Sequence, residues 1–240
     1  MKYERKIISI RTSDLPEIKD ICEYEDRYVT IDEGWRVLPI RTPLLLPGMT
    51  FGAVFEKYVK PHVKEGDIVA ICESALAIME GRCYYVEDIK PGFLATHLNK
   101  LFKMDSSLSS AYSLEMAIRE VGAFRIITAV IIGALGRLIG RAGDFYAYAG
   151  RAVATIDDCT GTLPPFDKYV VMGPKNPQKS AEIFKKNTGI DAAVVDVNDL
   201  GKVDVLGISD PALKTRVIEA LKTNPQGNAN EQMPIALIRS

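Results

Sequence analysis

The residues of this chain best suited to chemistry are carboxylates and a serine placed where strands give way to helices or turns. Ile68 to Cys72 is an unbroken apolar run after the turn Lys64-Glu65-Gly66-Asp67, which suits a buried strand. Glu73 and Ser74 follow where a helical pattern through Leu76, Met79 and Glu80 begins. A helix N-terminus leaves backbone N–H groups free and carries partial positive charge, an environment for phosphate. Glu73, ending a strand, can present a carboxylate to such a site as a further ligand. The plainer reading of Ser74 is an ordinary helix N-cap.

Two acidic clusters lie further along. The first is Asp157-Asp158, within Thr155-Ile156-Asp157-Asp158-Cys159-Thr160-Gly161, and the second is Asp196-Val197-Asn198-Asp199-Leu200-Gly201. Carboxylates at strand ends, followed by a glycine that lets the backbone turn, suit magnesium or manganese. Both ions take oxygen ligands and share them with substrate phosphates. Both clusters are therefore candidates to hold such an ion. Asp and Asn also form turns by bonding their own backbone, which is the alternative for both clusters.

The elements that must position these groups are mixed in kind. Ile8 and Ile10 alternate with Ser9 and Arg11 as a short strand, which Asp14-Leu15-Pro16 breaks. Tyr28 to Ile40 reads as one or two strands with a turn at Asp32-Glu33-Gly34, and a helical stretch runs from Phe51 to about Val59 after the Pro47-Gly48 turn. Leu114, Ile118 and Val121 share a helical face that Gly122 terminates. Asn176-Pro177 starts a helix that ends near Gly189, Ala192 to Val197 is a strand, and Asp210-Pro211 starts a helix closed by Asn224-Pro225. Ile235 to Ile238 is a final strand. Strand-helix-strand units with hairpin-like segments among them predict a mixed α/β (α+β) fold.

A chain of 240 residues can be one large domain or two lobes. Its net charge of −1 removes the generic electrostatic argument for nucleic acid or an anionic membrane. Four cysteines without Cys-x-x-Cys spacing and two histidines give no zinc pattern and fit a reduced compartment. With no apolar leader at the N-terminus, the expected location is the cytoplasm. Ile126 to Gly136 is uncharged, but Arg125 and Arg137 bracket it at eleven residues. A spanning helix needs about 20 apolar residues, so this segment is expected in the core, covered on most sides, or else in a dimer interface. Gly133 and Gly136 would admit a close backbone neighbour.

Several blocks, in order, resemble the coenzyme F-420 gamma-glutamyl ligase family. They are Thr42-Pro43-Leu44-Leu45-Leu46-Pro47-Gly48, Gly66-Asp67-Ile68-Val69 with Ser74 and Glu80-Gly81-Arg82, and Gly173-Pro174-Lys175-Asn176-Pro177 with Ser180-Ala181. Val194-Val195-Asp196 through Leu200-Gly201 and Pro234 to Arg239 complete the set, while Phe93 to Arg151 shows least kinship. The resemblance implies a two-lobed fold with mixed sheets, one ligase-like unit over residues 1–240, and an intertwined homodimer. It also implies a divalent metal (Mg or Mn) and GTP, or ATP, as co-substrate. The implied reaction adds L-glutamate to a small-molecule carboxylate acceptor such as coenzyme F-420-0 through an acyl phosphate.

Asp157 falls at the family's first metal-binding aspartate. The second falls among Asp196, Asn198 and Asp199: aligning on Gly201 selects Asn198, with the two aspartates as neighbours that could take over. Glu73 and Ser74 with nearby amides would meet phosphate. The family's lysines beside its serine are replaced here by Ala75, Ala77 and Met79. Arg141, in a run with Arg137 and Arg151, could supply the missing phosphate contact or be a solvated surface charge. Those departures keep a second expectation open, a non-ligase family member that binds a nucleotide or metabolite or acts on another substrate.

Overall fold

The computed structural model describes residues 29–30, 35–102, 106–158, 164–198, 201–227 and 232–239. The strand expected at Ile8–Ile10, its Asp14-Leu15-Pro16 break, the Asp32-Glu33-Gly34 turn and Asp199 lie outside the described residues. Along the chain are β1 (Val29–Thr30), β2 (Arg36–Ile40), α1 (Phe51–Val54), β3 (Ile68–Cys72), α2 (Glu73–Met79), β4 (Cys83–Tyr85) and α3 (Phe93–Leu98). Then come α4 (Ala111–Val121), α5 (Ala123–Leu138), α6 (Asp144–Ala149), α7 (Arg151–Ala154) and β5 (Tyr169–Val171). The chain closes with α8 (Pro177–Thr188), β6 (Asp191–Val197), β7 (Val203–Ile208), α9 (Lys214–Leu221) and β8 (Ile235–Arg239). The fold is mixed α/β, and the chain divides into two compact units: Met1–Gly81 with Pro174–Ser240, and Arg82–Gly173.

The first unit is a sheet in the order β1-β2-β8-β3-β6-β7. β3 and β6 run parallel, and the other neighbours are antiparallel. Side chains alternate across a strand, and here both faces are covered. Val69, Ile71, Ala192, Val194, Ile235 and Leu237 pack on one face with Phe51, Phe55 and Phe184. Ile68, Ala70, Ala193, Val195, Ala236 and Ile238 pack on the other with Val217, Ala220 and Leu221 of α9. Double burial is why β3, β6 and β8 read as continuous apolar runs rather than alternating ones.

Local chemistry sets the helix ends. Asn176 caps α8 by accepting from the Lys179 amide at 3.1 Å, Pro177 opens the helix, and Gly189 ends it at φ +75°. Asp210 accepts from the Ala212 amide at 2.9 Å, so a 3-10 turn at Pro211–Leu213 precedes α9. The start of α8 lies hard against β7: a Cβ on Gly207 would come within 2.4 Å of the Pro177 carbonyl carbon. Gln178 fixes the contact, its amide donating to Ile208 O (2.9 Å) and accepting from Ile208 N (3.1 Å).

The second unit pairs β4 with β5 and packs α3 to α7 around Leu108, Leu114, Ile126, Phe145 and Ile156. Gly122, at φ +89°, ends α4, and α5 leaves at 114° to it. Gly133 and Gly136 do admit a close neighbour: a Cβ on Gly133 would lie 2.9 Å from the Phe145 Cβ of α6. The expectation that α5 is covered on most sides is corrected. Ile126, Ala129, Gly133 and Gly136 are buried, whereas Phe124 (82% exposed), Ile127, Ile131, Leu135 and Leu138 (83% exposed) line an open face. Among the described residues no single helix is long and apolar enough to cross a membrane.

Candidate functional site

In the first unit the parallel pair brings chemistry together. Cys72 and Val195 are register partners, so Glu73 and Asp196, each the next residue, emerge at the same carboxyl end of adjacent strands. Ligands of open α/β sheets bind outside the carboxyl ends of parallel strands. β8 arrives at this end antiparallel, with Pro234 O accepting from the Cys72 amide at 2.9 Å. Behind them Gln226, buried, donates to Met233 O at 3.2 Å and contacts Cys72 Sγ at 3.3 Å.

Glu73 is buried at the first position of α2, and its Oε2 accepts from the Ser74 amide at 2.5 Å. Cys72, in extended conformation, holds the N-cap position, so Ser74 is not the N-cap that the plainer reading expects. A carboxylate thus already sits on the Ser74 amide, one of those expected to meet phosphate. Positions 75 to 79 are buried without exception. Ala75, Ala77 and Met79 are core residues.

Asp196 has Asp204 directly opposite it on β7. Like charges facing each other across a ladder are unfavourable. Partial burial first, and the charge of Asp204 second, push the Asp196 carboxyl above its ordinary range, with Lys202 acting the other way. Much of the side chain remains open to solvent, so the shift is bounded by screening. Asn198 closes the β6–β7 connection: its Oδ1 accepts from the Lys202 amide at 3.0 Å, and its carbonyl from the Gly201 amide at 3.1 Å. That is the turn-forming role, although an amide oxygen keeps a second lone pair. Asp204 is a functional candidate the sequence reading missed, because β7 itself went unread.

No group of three or more His, Cys, Asp or Glu side chains converges among the described residues. Magnesium and manganese need fewer, since one or two carboxylates with waters and substrate phosphates suffice. The opposed Asp196 and Asp204, oxygen donors whose repulsion a cation would relieve, fit that requirement.

In the second unit Asp157 is half-buried and bridges β5 through its backbone, its amide donating to Val171 O (2.8 Å) and its carbonyl accepting from Val171 N (3.0 Å). Its carboxylate takes no part in that bridge. The neighbouring Asp158 is buried and accepts from Ser110, the N-cap of α4, at 2.9 Å, which is a structural role. Arg141 is exposed in the α5–α6 connection and pairs with Asp144 at 3.1 Å.

The family blocks also have structural work. Glu80 accepts from the Lys175 amide at 2.7 Å. Arg82 donates to Gly173 O at 2.6 Å and to Glu120 at 2.8 Å. A Cβ on Gly173 would lie 2.0 Å from the Thr155 hydroxyl oxygen, so this position requires glycine.

A family model described as F420-0:Gamma-glutamyl ligase matches residues 39–225. The chain belongs to this family. No curated protein matches it. The activity named for the family is ligase chemistry of F420 biosynthesis on small molecules.

Proposed function

We propose that this family member is a GTP- or ATP-dependent ligase that joins L-glutamate to a carboxylate acceptor of the F420-0 type. The observation that carries the reading is the position of Glu73 and Asp196 at the same carboxyl end of the β3–β6 pair, in a chain of this family. The nucleotide γ-phosphoryl group passes to the acceptor carboxylate, giving an acyl phosphate and releasing the nucleoside diphosphate. The glutamate amine then attacks the acyl carbon, forms the amide and expels inorganic phosphate. Asp196 with Asp204 would hold a divalent ion, with Asn198 and Asp199 as further candidate ligands, and Asp157 is a separate candidate ligand in the second unit. Such an ion neutralises charge on a transferring phosphoryl group. Glu73, fixed on the Ser74 amide, places a carboxyl group at this end that favours a cation or the incoming amine. Arg141 remains a candidate phosphate contact.

The open apolar face of α5 supports a homodimer, since a row of large apolar side chains on a stable protein marks an interaction surface. The buried side chains at Ala75, Ala77 and Met79 favour a second reading, a family member acting on another substrate, because no lysine can reach phosphate from there.

The test is thermal stabilisation by GTP and by ATP, each with and without Mg2+ or Mn2+, followed by F420-0- and glutamate-dependent phosphate release. A ligand at 100 times its Kd stabilises by about 2.7 kcal/mol. Asp196→Asn and Asp157→Ala should abolish the metal-dependent shift while the far-UV circular dichroism stays that of wild type; alanine keeps the backbone atoms that make the Asp157 bridge. An unchanged shift in either variant removes that residue from the site, and no shift with any pair in wild type selects the second reading.

A further inference from the structure

A cavity of about 510 Å3 opens at the opposite end of the same two strands, lined by Lys64, Ile68, Ile190, Asp191, Leu213 and Arg216 among others. Of its three acidic lining residues, Asp67 and Asp191 are already matched, and Glu65 is exposed to solvent. Asp67 takes both Nε and Nη2 of Arg239 at 2.7 Å each, and Asp191 pairs with Lys185 at 2.6 Å and accepts from Ser209 at 2.7 Å. Arg216 is not matched. Its guanidinium lies on the Trp35 ring, 4.0 Å from the centroid, and its Nε and Nη2 are shielded from solvent without a hydrogen-bond partner.

These two nitrogens form the guanidinium edge whose parallel N–H bonds take both oxygens of a carboxylate or phosphate. Arg239 uses this same edge on Asp67. Arg216 holds the same fork, over an indole and with Nε and Nη2 shielded from solvent, beside a cavity with both apolar and polar walls. Burial lowers its pKa, and the charge of Asp67 only partly offsets this.

We propose that the cavity is a binding site for a small oxyanion with a short apolar body, its acid group taken by the Arg216 fork. Engagement requires a small swing of the guanidinium across the Trp35 face towards the cavity it lines. The site is separate from the acidic end of the sheet and does not depend on the ligase reading. An acid bound there would sit at the feet of β3 and β6, whose other ends carry Glu73 and Asp196.

Trp35 is the single tryptophan of the chain, so its fluorescence reports on this contact. The experiment titrates the full chain with succinate and with inorganic phosphate at constant ionic strength, using succinamide as the uncharged control. Wild type should show a saturable change with at least one oxyanion and none with succinamide. The oxyanion that saturates at lower concentration identifies the acid group as carboxylate or phosphate. Arg216→Gln, and Arg216→Lys, which keeps charge but loses the fork, should bind at least about tenfold more weakly. A response to succinamide matching that to succinate, no saturable change, or equal affinity in Arg216→Lys would overturn the proposal. Should a variant fail to fold, the comparison of succinate, phosphate and succinamide in wild type still decides it.

Discussion

The turn that opens β3 is tied to the end of β8 by one ion pair, and its removal tests how the first unit is held together. Asp67 is fully buried in its side chain and Arg239 is 13% exposed. The two meet through two 2.7 Å bonds, while Asp67 also accepts from the Lys64 amide at 2.8 Å and Arg239 donates to His62 O at 2.9 Å. Deleting one partner of a buried pair leaves a charge without its counterion, a loss of about 3–5 kcal/mol. Asp67→Ala belongs at the lower end, because Arg239 keeps the His62 carbonyl and some water. Arg239→Ala belongs higher, because the Asp67 carboxylate has no exposed surface and retains one amide donor. At roughly 2–4 °C per kcal/mol for a chain of this size, the melting temperature should fall by about 6–20 °C.

The decisive measurement is a double-mutant cycle by urea denaturation. Once Asp67 is gone, removing Arg239 takes away an unpaired charge, so the double variant should be no less stable than the worse single variant. That corresponds to a coupling energy at least equal to the smaller single loss, about 3 kcal/mol, the top of the usual range. If the two single losses simply add, the pair does not act as a unit and the reasoning fails.

Two further expectations concern the second unit. Burial pushes the Cys83 thiol up to about 11, outweighing a backbone hydrogen bond that acts the other way. Stability from keeping it neutral is complete below the unfolded-state value near 9 and is lost as pH climbs towards 11, by up to about 3 kcal/mol. Cys83→Ala should therefore flatten the fall in stability between these pH values, and pH curves of equal slope would contradict the burial argument. On the open face of α5, Ile131→Glu with Leu135→Glu should convert the proposed homodimer to a monomer in sedimentation. An unchanged assembly state would mean that this face contacts no second copy.

Much of the first unit is legible in the sequence because its elements announce themselves chemically. Asn176-Pro177 and Gly189 bound α8, and the apolar runs of β3, β6 and β8 reflect burial on both faces. β7 escapes for a physical reason. Its alternation lasts from Val203 to Val205, and then a bulge at Leu206–Gly207 breaks the period where Gly207 yields space to Pro177. With β7 went Asp204, whose charge adds to burial in setting the environment of Asp196. The three-residue strands β4 and β5 are too short for any period to show. For α5, composition reveals an apolar helix but not which side its own unit covers. The aspartates divide in the same way: Asp158 and Asn198 have structural bonds that no spacing could reveal.

The absence of lysine at positions 75, 77 and 79 follows from packing. Five consecutive residues of α2, Ala75 to Met79, are buried, so a lysine at 75, 77 or 79 would have to place an ammonium group in the core. Small and apolar residues there and a cationic phosphate cradle exclude each other. What remains at this end of the sheet is acidic: Glu73, Asp196 and Asp204 against Lys202. Phosphate approaches such a surface only with a cation between them, so nucleotide binding at this end should depend strictly on the divalent ion. Stabilisation by GTP in the presence of a chelator, equal to that with Mn2+, would mean that nucleotide is held by arginines or lysines elsewhere, and the acidic end would lose its assigned role.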